Sequence, residues 1–209
     1  MAIPGPHLPV LRFCGLLAGS VDQLSTARHE LSQWYGPIHH ASEPMDFNFT
    51  DYYTPEMGPQ LLRQWIRFST LFSADQLARC KLETNMAEIL LARQFAGNVP
   101  RPVNIDPGYV SRSKVVLAST KDHSHRIYLE QGIYAEVTLH WTASGWGESA
   151  WTYADHRTPA AGRFFTECRH YYFRQLQKTM AIPSRDAITD PQVSDGGARQ
   201  ATEPADAGE

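Results

Sequence analysis

The strongest strand and turn signals in the chain lie in residues 103–140, which read VNIDPGYVSRSKVVLASTKDHSHRIYLEQGIYAEVTLH. Residues 133–140 alternate apolar and polar side chains, and this period of two predicts a half-buried strand. Residues 126–129 alternate in the same way. The three residues between these segments end in Gly132, which predicts a three-residue hairpin loop with a left-handed glycine.

The predicted hairpin has one apolar face and one polar face. Its register places Leu129 opposite Ile133, and a merely solvated polar face would be rich in Lys, Glu, Thr and Ser. This face instead carries two tyrosines, an arginine and a histidine, so it is either an exposed face with a cross-strand ion pair or one wall of a functional site. The polar residues are Arg126, Tyr128, Tyr134, Glu136, Thr138 and His140, with Tyr128 opposite Tyr134 and Arg126 opposite Glu136.

The segments before the hairpin predict a turn, a central strand and a polar loop. Asp106-Pro107-Gly108 predicts a turn, because Pro presets φ, Gly accepts a positive φ and Asp accepts backbone hydrogen bonds. Residues 114–118 form a nearly continuous apolar run, which is typical of a strand buried on both faces. Residues 119–125 are all polar and predict a loop.

The remaining elements predict an α+β fold. Ser20 and Ser73 each precede a helical pattern and have Gln three residues later, which indicates a capping box. The order of elements predicts a mixed, mostly antiparallel sheet with helices on one face, namely a ferredoxin-like core plus a C-terminal hairpin and helix. The other predicted elements are a strand at 10–17, a partly extended segment at 38–49, helices at 20–35, 73–95 and 159–178, and a strand that is ambiguous with a helix at 61–70.

Composition predicts one globular domain over residues 1–180 and a disordered acidic tail over residues 181–209. The tail has six acidic and two basic residues and no aromatic residue, which is typical of disorder. The net charge of the whole chain is −3, and this argues against general nucleic-acid binding.

The sequence also predicts a cytoplasmic location. No apolar run approaches the length needed to cross a bilayer, and the N-terminal segment lacks the basic start of a secretory signal. The three cysteines, Cys14, Cys80 and Cys168, are far apart in apolar patterns. We interpret them as buried free thiols in a reducing compartment.

Several blocks of the sequence match the pattern of a known family. They are VNIDPGY, SKVVLASTKDHSHRIYL, GIYAEVTL, FTDYY followed by Glu56-Met57-Gly58, Lys81 with Thr84-Asn85, and Trp151-Thr152-Tyr153 with Asp155 and Arg157. Together they resemble an uncharacterised bacterial family, domain of unknown function family 4416, over about Leu11 to Gln177. The family has no established activity, so the resemblance implies a domain and not a reaction.

Polar clusters at the ends of the predicted elements suggest a binding site. Lys and Arg neutralise phosphate, and carboxylates bind Mg²⁺ together with phosphate oxygens. We therefore expect a pocket for a small phosphorylated molecule or nucleotide. The candidate ligand-binding residues are Asp51, Tyr52, Tyr53, Glu56, Asn104, Asp106, Tyr109, Lys121, Arg126, Tyr128, Tyr134, Tyr153 and Arg157. The candidate Mg²⁺ ligands are Asp51, Asp106, Asp122 and Glu136.

The sequence leaves open whether such a site is catalytic. A hydrolase or transferase would use His125 or Glu136 as the general acid–base, and we expect Glu136→Gln to weaken ligand binding with little change in melting temperature. An enzyme predicts Asp51, Asp106, Glu136 and Arg126 around one concave pocket. A non-catalytic binding or regulatory module predicts a flat aromatic patch with those residues scattered. The sequence has no P-loop, HExxH, GxGxxG or GxSxG motif.

Overall fold

Strand β1 (Val10–Ala18) is buried along its whole length. In the computed structural model, which describes residues 3, 5, 7–95, 97 and 99–180, β1 pairs with β4 (Leu61–Phe72) on one edge and with β5 (Val103–Val110) on the other. It therefore forms the centre of the sheet. The predicted acidic tail lies outside the described residues.

The other elements follow the predicted order. Strands β2 and β3 precede β4, and strands β6 to β9 follow β5. Short 3₁₀ turns at Ala74–Gln76 and Asp155–Arg157 precede two of the helices. The bounds are α1 (Val21–Tyr35), β2 (Ile38–Ala41), β3 (Met45–Phe47), α2 (Thr54–Met57), α3 (Leu77–Gln94), β6 (Lys114–Ser119), β7 (Ile127–Glu130), β8 (Ile133–Thr142), β9 (Gly145–Glu148) and α4 (Pro159–Met180).

The strands form one sheet in the order β2-β4-β1-β5-β6-β8-β7, with β3 also on β4 and β9 also on β8. Each of the eight pairings in the described part of the chain is antiparallel. The α+β class and the mostly antiparallel sheet are confirmed. The run β2-β4-β1-β5 follows the ferredoxin-like plan, and the hairpin β7–β8 and the helix α4 follow it in the chain.

Helices cover both faces of the sheet, so the expectation of helices on one face is wrong. Cys14 and Leu16 of β1 pack with α1 and α3, whereas Leu11 and Phe13 pack with α4. Successive side chains of a strand point to opposite faces, and β1 is apolar on both. Both faces therefore need apolar cover, and α4 supplies it on the second face.

The predicted turn at Asp106-Pro107-Gly108 is wrong, because these residues lie inside the continuous strand β5. Gly108 is needed for close packing and not for a positive φ. A Cβ on Gly108 would lie 2.4 Å from the carbonyl oxygen of Val116 and 2.6 Å from the ring of Phe13. The glycine therefore allows β6 and the β1 side chain to approach the backbone of β5.

The first five residues of β5, 103–107, are not paired with β6. The pairing of the two strands runs only from Gly108 to Val110 of β5, while β6 stays paired with β8 as far as Ser119. Pro107 also lacks the backbone N–H that a further hydrogen bond would need. The result is an opening in the sheet beside residues 103–107.

The hairpin β7–β8 confirms one predicted pair and corrects another. Tyr128 lies opposite Tyr134 as predicted, but an irregularity places Glu130 and not Leu129 opposite Ile133. The turn consists of Gln131 and Gly132, both with positive φ, and is shorter than the predicted loop. A two-residue turn of this kind matches the twist of the strands it joins.

Only part of the polar face of the hairpin is exposed to water. Glu136 is 2 % exposed and Thr138 is fully buried, whereas Ile127, on the opposite face, is 73 % exposed. Strand β7 is at the edge of the sheet. Part of the predicted polar face therefore lines an interior space.

Helix starts and cysteines agree in part with the predictions. Ser20 caps α1 by accepting a hydrogen bond from the backbone of Gln23, but Ser73 makes no such bond and is followed by a 3₁₀ turn. All three cysteines are free and buried. Among the helices that the structure describes, none is long and apolar enough to cross a membrane.

Candidate functional site

A cavity of about 610 Å³ lies where β5 and β6 part. Its floor comes from β4, β5, β6 and β8, on the side of the sheet that α4 covers farther along. Its walls come from residues 47–53, 119–126 and 151–156. A volume of this size is typical of a pocket for a small molecule.

The cavity brings together nine of the predicted site residues. Asp106, Arg126 and Glu136 share one concave pocket, as the enzyme hypothesis expected, whereas Asp51 does not line it. The nine residues are Tyr52, Tyr53, Asn104, Asp106, Lys121, His125, Arg126, Glu136 and Tyr153.

The other predicted site residues lie outside the cavity, and several have structural roles. Tyr109 is buried with Leu77 on the α3 side of the sheet. Tyr128 packs against Tyr134 with ring centroids 5.4 Å apart. Arg157 donates to backbone carbonyls of residues 149, 150 and 152. The complete set outside the cavity is Asp51, Glu56, Tyr109, Asp122, Tyr128, Tyr134 and Arg157.

The four carboxylates that were predicted to bind Mg²⁺ do not form one group. Asp51 and Asp122 do not line the cavity, while Asp106 and Glu136 are already paired with cationic side chains. Across the residues that the structure describes, no three His, Cys, Asp or Glu side chains form a group that could hold a metal ion.

One end of the cavity, called the inner end, is built around Arg63 of β4. Its side chain is 5 % exposed, with Nε 2.9 Å from Asp155 Oδ2 and Nη1 3.5 Å from Asp106 Oδ2. Neither contact has the geometry of a hydrogen bond, and Nε and Nη1 have no other partner in the described part of the chain. The inner end consists of Arg63, Lys81, Asn104, Asp106, Asp155 and His156.

Two other buried arginines also have unmatched donors, but their surroundings differ. The guanidinium of Arg12 lies 4.2 Å from the ring centroids of Tyr35 and Phe72, and that of Arg67 lies 4.0 Å from the Tyr171 ring. Neither arginine lines the cavity. Contacts with aromatic faces stabilise these two cations. Arg63 also lies over a ring, 5.2 Å from the Phe47 centroid, but it differs from them in lining the cavity.

The carboxylates of the inner end are held in the ionised form. Burial alone would raise the pKa of Asp106, but Lys81 and Arg63 outweigh it and lower that pKa. Burial likewise opposes ionisation of Asp155, but His156 and Arg63 lower its pKa well below the ordinary range. The same two carboxylates outweigh the burial of Arg63 and raise its pKa. The inner end is therefore charged at neutral pH.

Lys81 reaches the inner end from the opposite side of the sheet. It belongs to α3, whose Ala87 and Leu91 pack on the face away from α4. Its Nζ donates to the carbonyl oxygen of Ile105 at 2.8 Å and lies 3.7 Å from Asp106 Oδ1. The opening between β5 and β6 gives this ammonium group access to the cavity.

Arg101 and Asn104 extend the polar network next to Lys81. Arg101 pairs with Glu88 at 2.7 Å and also donates to the side chain of Asn104. Asn104 in turn donates to Asp106 Oδ2 at 2.7 Å. This network holds the Asp106 carboxylate through Oδ2, the same oxygen that lies nearest to Arg63.

The other end of the cavity, called the outer end, is built around Arg126. Its Nε donates to Glu136 Oε2 at 2.8 Å, and its Nη2 donates to the Tyr153 hydroxyl at 2.6 Å. Its Nη1 donates to Ser119 Oγ and to the carbonyl oxygen of Lys121. All three nitrogens of this guanidinium are therefore used within the protein. The outer end consists of Ser119, Lys121, His125, Arg126, Glu136 and Tyr153.

His125 is the group at the outer end whose ring keeps a free nitrogen. Its Nε2 lies 3.2 Å from Glu136 Oε2, and no hydrogen bond to its Nδ1 is found among the described residues. The ring stacks on Trp151 with centroids 5.1 Å apart and planes 10° apart. The carboxylate favours the tautomer with the proton on Nε2, which leaves Nδ1 as an acceptor.

Tyr153 keeps its proton at the outer end. Burial and the nearby Glu136 carboxylate raise the pKa of Tyr153 to about 12. Its hydroxyl thus stays neutral at physiological pH and accepts the hydrogen bond from Arg126. The Tyr153 ring remains 42 % exposed.

Sequence reasoning missed several residues of the cavity. Arg63 lies in a segment whose element type is ambiguous from sequence. If that segment is taken as a strand, Arg63 shares a face with Trp65, which indicates that its charged side chain points into the protein. Lys81 likewise interrupts the apolar stripe of α3. Asp155 was noted as part of a polar segment, but not as a ligand of Arg63. The other lining residues outside the predicted site set are Phe47, Phe49, Thr50, Arg101, Leu117, Ala118, Ser119, Thr120, His123, Trp151, Ala154 and His156.

Comparison with known proteins gives a family and no activity. No curated protein and no solved structure matches the chain. One family model matches residues 8–172, which is most of the chain and includes every residue of the cavity. The chain therefore belongs to the family described as "Domain of unknown function (DUF4416)".

Proposed function

We propose that the cavity binds a small phosphorylated molecule, with the phosphate group at the guanidinium of Arg63. The observation that carries this proposal is a charged arginine in the cavity lining, whose buried Nε and Nη1 contact Asp155 and Asp106 without hydrogen-bond geometry. An unmatched buried donor is unfavourable. Phosphate oxygens satisfy guanidinium donors in pairs and add charge–charge attraction.

The charge of the cavity supports the same ligand class. Five cationic side chains line it, against three carboxylates, so it has a surplus of positive charge although the whole chain is acidic. Such a surplus attracts anions into the cavity. The cations are Arg63, Lys81, Arg101, Lys121 and Arg126, and the carboxylates are Asp106, Glu136 and Asp155.

A binding experiment with phosphorylated probes tests the proposal. We expect ribose 5-phosphate or a nucleoside monophosphate to raise the melting temperature, with Kd confirmed by calorimetry, in the absence and presence of Mg²⁺. A probe at about 100 times its Kd stabilises a protein by about 2.7 kcal/mol, which is readily measured. If no phosphorylated probe binds under either condition, the proposal is wrong.

Arg63→Met is the informative variant, and Arg67→Met is its matched control. Both arginines are buried on β4 four residues apart, but Arg67 packs on Tyr171 outside the cavity. Loss of a charged hydrogen bond costs about 1.5–3 kcal/mol, so Arg63→Met should weaken binding by roughly tenfold or more. Arg67→Met should leave Kd unchanged. Equal losses in both variants would mean that the effect of Arg63 is only structural.

We further propose proton transfer by His125, which would make the site hydrolytic. The specific support is the contact between His125 Nε2 and the buried Glu136, which leaves Nδ1 available. In hydrolysis of an ester whose phosphate is held at Arg63 and whose ester bond is directed to the outer end, Nδ1 would accept a proton from the attacking water and then return it to the departing oxygen.

Turnover distinguishes this candidate from a non-catalytic binding module. Bound probes would be recovered and analysed by phosphorus NMR after incubation with the protein. Phosphate release that is lost in His125→Asn, with probe binding retained, supports the catalytic proposal. Quantitative recovery of every probe favours a binding or regulatory module.

A further inference from the structure

The exposed aromatic rings of this protein are concentrated at the cavity. Six aromatic side chains in the described part of the chain are strongly exposed, and four of them line this single opening. We call these four residues the aromatic rim. They are Phe49, Tyr52, Trp151 and Tyr153, with exposed fractions of 37 %, 61 %, 42 % and 42 %.

Three of the four rim residues belong to two ordered groups of rings from different parts of the chain. In the first group, Phe47 makes edge-to-face contacts with Phe49 and Tyr53, at centroid distances of 5.5 and 5.9 Å. Tyr53 in turn contacts Tyr52 at 5.1 Å. The exposed rings of this group are thus held in place by the buried Phe47 and the half-buried Tyr53.

The second group is a stack of nearly parallel rings. His125 lies between His123, at 5.8 Å, and Trp151, at 5.1 Å. The indole Nε1 of Trp151 donates to the carbonyl oxygen of Val137 at 3.0 Å. This hydrogen bond fixes the plane of the indole, so His125 covers one face of a ring that is still 42 % exposed.

We propose that the phosphorylated ligand is a nucleotide whose base stacks on the aromatic rim, an inference that rests on the proposed function. A cationic inner end and flat, pre-oriented rings in one cavity match the two halves of a nucleotide. Aromatic side chains stack on any base because every base has a π face. A sugar phosphate would leave the exposed rings unused.

A panel of matched probes separates the base from the phosphate. AMP, GMP, CMP and UMP share their ribose phosphate with ribose 5-phosphate and differ from it in the base. From the usual strength of base stacking on one aromatic side chain, we expect at least one of these nucleotides to bind roughly tenfold or more tightly than ribose 5-phosphate. Calorimetry and quenching of tryptophan fluorescence report the two affinities.

Variants of the rim assign the difference to stacking. Trp151→Leu and, separately, Tyr52→Leu should weaken nucleotide binding by roughly fivefold or more and leave ribose 5-phosphate binding unchanged. Trp34→Leu is the matched control, because Trp34 is also 37 % exposed but lies on α1 outside the cavity. Circular dichroism would confirm that each variant is folded.

The outcomes keep the two proposals apart. If ribose 5-phosphate binds as tightly as all four nucleotides, the nucleotide inference is wrong and the phosphate-binding proposal stands. If neither rim variant changes nucleotide binding relative to Trp34→Leu, the inference is also wrong. If none of the five probes binds, the proposed function itself fails.

Discussion

The two ends of the cavity differ in how fully their buried arginines are hydrogen-bonded. At the outer end, Arg126 uses all three nitrogens within the protein. At the inner end, Arg63 lies near two carboxylates but makes no well-formed hydrogen bond among the described residues. A buried arginine whose donors are all used is part of the scaffold. We therefore propose that Arg63, whose contacts are less well formed, is the arginine that a ligand would engage.

This comparison changes the roles of two predicted site residues. Arg126 was expected to bind ligand and Glu136 to bind a metal or transfer protons. Both are 3 % exposed or less at the side chain and are bonded to each other at 2.8 Å. We therefore assign this pair mainly to holding the outer end together and orienting His125.

The largest expected effect is the loss of stability in Arg126→Met. The variant leaves Glu136 buried with a charge that is no longer compensated by the guanidinium, and breaking such a pair costs about 3–5 kcal/mol. Arg63→Met should cost less, about 1–3 kcal/mol, because Asp155 keeps His156 and Asp106 keeps Lys81. Urea unfolding of both variants measures the two losses of stability. A larger loss in Arg63→Met than in Arg126→Met would contradict the assignment of Arg126 to the scaffold.

Glu136→Gln should have an intermediate effect. The amide keeps the shape of the side chain but loses the charge that pairs with Arg126, so we expect a loss of about 1–3 kcal/mol. This result contradicts the expectation from sequence that the melting temperature is nearly unchanged. Thermal unfolding decides between them, with Glu56→Gln as an exposed carboxylate outside the cavity for comparison.

Acid should destabilise the inner end through its aspartates. Because the pKa values of Asp106 and Asp155 are lowered on folding, the unfolded chain takes up their protons at higher pH than the folded protein does. Their contribution to stability is therefore present above the ordinary aspartate pKa of 3.8 and is lost as pH falls below it.

The measurement is the free energy of unfolding between about pH 3 and pH 7. Asp155→Asn should be less stable at neutral pH, and its stability should fall less steeply with acid. Asp51→Asn, which replaces an exposed carboxylate outside the cavity, is the matched control. An unchanged acid dependence in Asp155→Asn would show that Asp155 is not held ionised by folding.

The smallest expected effect belongs to the contact between Lys121 and Tyr52 at the cavity opening. Lys121 Nζ donates to the Tyr52 hydroxyl at 2.6 Å, and both side chains are exposed. Tyr52→Phe should change stability by less than about 0.5 kcal/mol, as is usual for surface substitutions. Thermal unfolding measures this, and a clear loss would mean that the opening contributes to the scaffold.

Periodicity predicted those parts of the fold that depend on local patterns. The alternation in β8 and the apolar stripe of α3 gave the right element types, and the element order gave the ferredoxin-like core. The turn predicted at Asp106-Pro107-Gly108 is wrong because this composition favours a turn, whereas in the folded protein Gly108 allows the close approach of Val116. Strand faces were also misjudged, since burial of Glu136 depends on segments far away in sequence.

The candidate site was predictable where its residues form polar loops and unpredictable where they lie in apolar elements. Tyr52, Tyr153 and His125 stand out as chemically versatile groups in connecting segments. Arg63 and Lys81 are single charges within buried patterns, and their meeting depends on the parting of β5 and β6. That separation follows from strand register, which single-sequence patterns do not specify.

The passage of Lys81 between β5 and β6 has a consequence for the far side of the sheet. An anion bound at Arg63 on one side of the sheet also attracts the Lys81 ammonium group, whose helix packs on the other side. Occupancy on the α4 side should therefore slow amide hydrogen–deuterium exchange in α3, across the thickness of the sheet. Ligand binding on one surface of the sheet would then stabilise the helix that packs on the other surface.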